Sequence, residues 1–124
     1  MRSALGLLVL LAGGSPAMAA DPDPTQLKGK WELWEDHEGG TVCPITLESG
    51  QAIGGFALTG SEACFRKLKL RGDPYAWFLD KDGNFILIDA TRKMLARFDR
   101  LEDGTFYARR GGEGLDNLNL TPKR

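Results

Sequence analysis

Few side chains in this 124-residue chain are placed to do chemistry. His37, the single histidine, lies in the charged, turn-like run EDHEGG. A catalytic or zinc-binding imidazole needs partners at set positions, and neither a second histidine nor a spare cysteine is on offer. His37 therefore reads as a solvated loop residue. Ser49 and Ser61 stand outside any G-x-S-x-G context, and a triad at either would depend on that one histidine. Asp80-Lys81-Asp82-Gly83-Asn84 begins like a calcium loop, but Phe85 and Thr91 occupy the positions that need Gly and a bidentate Glu. The run reads as a hairpin turn. Gly111, Gly112 and Gly114 lack the spacing and the trailing Lys-Ser/Thr of a phosphate loop. No catalytic residue, metal ligand or cofactor is expected, so binding without catalysis is the default.

The two cysteines, Cys43 and Cys64, are the remaining reactive groups. A bridge between them would close a loop worth roughly 3 kcal/mol of unfolded-state entropy, and it requires an oxidising compartment. The N-terminus points to one. Arg2, the apolar run LGLLVLLA and the small-x-small sequence Ala17-Met18-Ala19 form the three parts of a secretory signal. The apolar run falls well short of the roughly 20 residues that span a bilayer. Cleavage is expected after Ala19, with Ala20 as the rival site, and the destination is expected to be the periplasm. In an exported chain with no other thiol, Cys43 and Cys64 are expected to pair.

Sixteen basic residues against 17 acidic give a formal charge of −1, which argues against a nucleic-acid partner. Arg66, Lys67, Lys69 and Arg71 do cluster, and read first as a solvated face. After residues 1–19, one domain remains, made of an arm at 20–26 and a folded part at 27–124.

These groups must be positioned by strands. Trp31 and Leu33 share one phase, with Trp34 on the other, and Cys43, Ile45 and Leu47 share another. Phe56 and Leu58 follow the Gly54-Gly55 break, and Phe65 and Leu68 allow one helical turn. Tyr75, Trp77 and Leu79 alternate. Asp82-Gly83 turns into the continuous apolar strand Phe85 to Ile88; Met94, Ala96 and Phe98 then alternate with Leu95 and Arg97. Phe106, Tyr107, Leu118 and Leu120 complete seven or eight short strands. An antiparallel sandwich or small barrel follows.

The ordered set Leu27-x-Gly29-x-Trp31-x-Leu33, Cys43-x-Ile45-x-Leu47, Leu58-x-Gly60-x-x-x-Cys64, Trp77, Gly83, Leu87 and Ala96-x-Phe98 resembles the Inh-type alkaline metalloprotease inhibitors. These are small periplasmic bacterial proteins directed at serralysin-type zinc proteases. The resemblance runs over about residues 26–107. It implies an all-β, eight-stranded antiparallel up-and-down barrel with one disulfide. It also implies a non-enzymatic, monomeric inhibitor whose partner is a secreted zinc metalloprotease. An extended N-terminal arm would enter the protease cleft with its α-amino group toward the zinc. By position, that arm is Ala20, Asp21, Pro22, Asp23, Pro24 and Thr25. It departs from the family's Ser- and Leu-rich pattern and offers a target's pockets proline and carboxylate instead. The arm carries no alternating apolar residues, so it is expected to be dispensable for folding. Two rival uses of such a barrel are a small-ligand carrier and an envelope-interaction module working through the Arg66–Arg71 face.

Overall fold

Short strands separated by tight Asp- and Gly-bearing turns can bury their apolar phase only by curling around it. The computed structural model describes residues 23–123. The strands are β1 (Gly29–Glu35), β2 (Val42–Ala52), β3 (Gly55–Gly60), β4 (Ala76–Leu79), β5 (Phe85–Ile88), β6 (Met94–Arg100), β7 (Phe106–Ala108) and β8 (Leu118–Pro122). Each pairs antiparallel with its sequence neighbour, and β8 closes on β1 through pairs such as Leu33 with Leu120. The result is an eight-stranded up-and-down barrel, and closure leaves no sheet edge unpaired along the order of strands. The signal-like segment 1–19 lies outside the described residues, as do Ala20, Asp21 and Pro22.

Aromatic rings fill the interior. Phe56 packs on Trp77 at 5.0 Å between centroids, Trp77 stacks on Phe85 at 5.4 Å, and Phe85 meets Phe106 at 5.6 Å. Phe98 meets Phe85 edge-on at 5.7 Å, and Phe106 leads to Trp31 at 5.9 Å. This continuous ladder occupies the space a small-ligand carrier would need, as an eight-stranded barrel of this size generally does. Each indole N–H also finds an acceptor: Trp31 on the Leu27 carbonyl, Trp77 on the Ala57 carbonyl and Trp34 on the Thr121 hydroxyl. Trp31 and Trp77 are buried, while Trp34 lies on the outer face and is partly exposed.

One end of the barrel is plugged by the helix α1 (Glu62–Lys67). Ser61 caps it by accepting from the Cys64 N–H at 3.2 Å, and Phe65 and Leu68 are buried beneath it. The Cys43–Cys64 disulfide, with Cα atoms 5.8 Å apart, ties this plug to β2.

Three expectations need correcting. Met94 is 54% exposed while Leu95 is buried, because the β5–β6 register slips between Leu87 and Ile88 and Leu95 becomes the extra residue. Tyr75 precedes β4 and is exposed rather than sharing the inward phase of Trp77. Finally, Pro24–Leu27 is a 3-10 turn, not part of an extended arm. Asp23 accepts from the Thr25 N–H at 3.0 Å and the Thr25 hydroxyl at 2.7 Å, and that local capture sets the turn, whose first position suits Pro24.

The four consecutive apolar residues of β5 are buried on both faces. Ile86 and Ile88 point outward, where Ala52 and Phe78 pack on them with Ala76. The tip of the β2–β3 hairpin leans over this outer face, and Gly55 lies so close to the Trp77 carbonyl that a Cβ there would collide with backbone.

Candidate functional site

In an up-and-down barrel with an even number of strands, both chain ends leave from the same rim. Here that rim carries the start of β1, the end of β8 and the turns Asp80 to Asn84 and Leu101 to Thr105. Of the six arm residues named from the sequence, Asp23, Pro24 and Thr25 are placed at this rim, and Ala20, Asp21 and Pro22 precede the described residues.

The base of the arm is fixed from two sides. Asp23 caps the 3-10 turn as described above, and its carboxyl is held below its ordinary pKa, chiefly by the Thr25 hydroxyl and then by the Thr25 N–H. At the far end of the turn, the Trp31 indole N–H donates to the Leu27 carbonyl at 2.7 Å. Leu27 also packs against the barrel core. Asp23 is therefore held at a defined point on the rim, followed by a half-buried Pro24 whose ring fixes φ. The neighbouring turns are similarly rigid. Asp80 Oδ1 accepts from the N–H groups of Asp82 and Asn84 at 2.9 Å each, and Gly83 takes φ +84°. This confirms a hairpin turn where the sequence begins like a calcium loop. In the other turn, Asp103 Oδ1 accepts from the N–H and hydroxyl of Thr105.

The sequence-marked His37 lies at the opposite end. It is an exposed loop residue, as read from the sequence, and its Nδ1 stands 3.1 Å from Asp116 Oδ2, joining the β1–β2 loop to the loop before β8. Glu35 completes a group of three possible metal ligands within 4.8 Å of one another. Glu35 Oε1 already accepts from the Thr41 N–H at 2.9 Å, and the Tyr107 hydroxyl donates to Asp36 at 2.9 Å. These bonds let the cluster work as a clasp between loops without an ion.

Arg110 carries no signal of periodicity, yet it is 7% exposed. Its guanidinium donates to the Leu68 carbonyl at 2.7 Å and to the Asp116 carbonyl at 2.7 Å. It thus satisfies the C-terminal end of the α1 plug, where a cation is electrostatically favoured. Burial lowers its pKa, and Glu35, Glu113 and Asp116 oppose that shift.

Comparison with known proteins identifies one family model, described as protease inhibitor Inh, which matches residues 21–118. Among solved structures, the crystal structure of a psychrophilic marine protease MP inhibitor superposes with a TM-score of 0.64 at 20% identity, covering 81% of this chain and 98% of that one. That likeness is one of fold. A comparison with curated proteins finds no match.

Proposed function

The chain belongs to the protease inhibitor Inh family, and on that footing we propose that it inhibits a serralysin-type zinc metalloprotease in the periplasm. The signal-like segment would be removed after Ala19, leaving Ala20 as the new N-terminus. Ala20, Asp21 and Pro22 would then enter the active-site cleft, with Asp23, Pro24 and Thr25 at its mouth and the Asp80 and Asp103 turns bracing the contact. The protein acts by occupation and performs no reaction of its own.

The observation that carries this reading is the pinned base of the arm: a capped turn at Pro24–Leu27 whose last carbonyl is held by the Trp31 indole. A segment launched from a fixed point loses less freedom on binding than one hung from a flexible tail, so more of its contact energy appears as affinity. The solved structure of similar fold is also that of a protease inhibitor.

The α-amino group supplies the test. Its ordinary pKa is about 7.7–8.0, and a nitrogen approaching zinc must shed its proton. Inhibition should therefore strengthen as pH rises through that window. N-terminal acetylation, which removes both the charge and the lone pair, should abolish this dependence and weaken inhibition at least tenfold. Equal inhibition by acetylated and free forms would rule out amine-to-zinc contact.

A further inference from the structure

β6 and β7 part company toward the plugged end of the barrel. They pair only at Asp99 with Tyr107 and Arg100 with Phe106, so Ala96 and Arg97 separate from Ala108 and Arg109. The segment after α1 lies over this seam and closes a cleft of about 230 Å3. Lys69, Arg71, Arg97 and Arg109 line it and are exposed, and the buried Arg110 forms part of its wall. Glu113 is the one carboxylate in the lining, and Arg71 already engages it at 2.7 Å. Asp80 faces Arg97 from the next turn. In a chain of formal charge −1, this is a concentrated positive site.

The cleft is not polar throughout. Leu70, Leu95 and Leu115 contribute apolar walls, and Met94 passes from the cleft into a second groove of about 480 Å3. Phe78, Ile86 and Ile88 line that groove together with Asp80 and Arg92. Ile53, beside the groove residue Gly54, and Met94 are 56% and 54% exposed. An anion alone would have no use for the groove, and an apolar ligand would have none for the cations.

We infer that cleft and groove together bind an anionic amphiphile, a phosphate headgroup against Lys69, Arg97 and Arg109 with its apolar chain running past Met94. The cations supply charge complementarity, and the exposed apolar residues supply the area that holds peripheral proteins at a lipid surface. The cleft sits toward the plugged end, and the groove runs back along β4 and β5 as far as Asp80, in a turn at the rim that carries the arm. The inference stands independently of the proposed inhibition, and it gives the Lys69 and Arg71 part of the basic run a use.

The test is co-sedimentation of the full-length mature protein with vesicles of phosphatidylcholine containing phosphatidylglycerol, with phosphatidylcholine alone as the comparison. Soluble glycerol phosphate is titrated separately. Binding to the anionic vesicles alone is expected, weakening with salt. Arg97→Gln with Arg109→Gln should reduce it about tenfold or more, and Met94→Ser about threefold. Lys28→Gln with Lys30→Gln makes the same change in net charge at the far rim and should leave binding unchanged. Thermal unfolding of each variant separates lost binding from lost fold. Equal sedimentation with both vesicle types, or an equal loss in the two double variants, would overturn the site. Binding of glycerol phosphate with no vesicle binding would overturn the amphiphile and leave a small-anion pocket.

Discussion

One local device recurs at three places in the chain. Asp23 with Thr25, Asp89 with Thr91, and Asp103 with Thr105 each form the same pair of bonds, the threonine N–H and hydroxyl both donating to one carboxylate oxygen. In all three, the threonine hydroxyl is the main cause of a lowered aspartate pKa. Because the folded pKa lies below the unfolded one, this contribution to stability is present above about pH 4 and is lost as pH falls. Thr91→Val with Thr105→Val should therefore lower the melting temperature at neutral pH and flatten its fall on acidification. Thermal melts between about pH 6 and pH 2 read both effects. A fall as steep as in the parent would mean that these turns do not carry the acid sensitivity. The Asp-x-Thr spacing is visible in the sequence, but short polar turns carry no periodicity to set them apart from ordinary loop residues.

At the scale of elements, the inward phases of β1 and β2 were legible because alternation maps directly onto a pleated strand with one buried face. Replacing Trp77 with Ala should cost about 3–5 kcal/mol and Trp34 with Ala clearly less, as urea denaturation of the two variants would measure. Comparable losses would contradict the strand register. Alternation failed at Met94 and Leu95, where a single inserted residue exchanges the two faces without any mark in composition. It also could not assign the outward side of β5, whose burial depends on a hairpin from elsewhere in the chain. The helical plug was legible only as the three-residue spacing of Phe65 and Leu68, and its fastening by Arg110 depends on contacts across 42 positions. Arg110→Met should leave the Leu68 and Asp116 carbonyls without this donor. The expected cost is about 1.5–3 kcal/mol, with the disulfide intact. Losing the disulfide by Cys64→Ala should cost about 2–5 kcal/mol by the same denaturation measurement. No change in either variant would show that the plug contributes little to stability.

At the scale of the whole molecule, the barrel holds an aromatic interior, places both chain ends on one rim and sets the disulfide-tied plug at the other. That arrangement sets the base of the arm, from Asp23 on, at the rim away from the plug. Sequence pattern alone put the whole of 20–26 outside the folded body. The capped turn moves the boundary to Asp23, since local side-chain bonds decide it and apolar periodicity does not. The central claim is that the residues before Asp23 carry the inhibition. Its most direct test is a titration of a serralysin-type protease with the mature protein beginning at Ala20 and with a form beginning at Asp23. The account predicts matching melting temperatures and at least a hundredfold weaker inhibition by the shortened form. Equal inhibition by the two would contradict it.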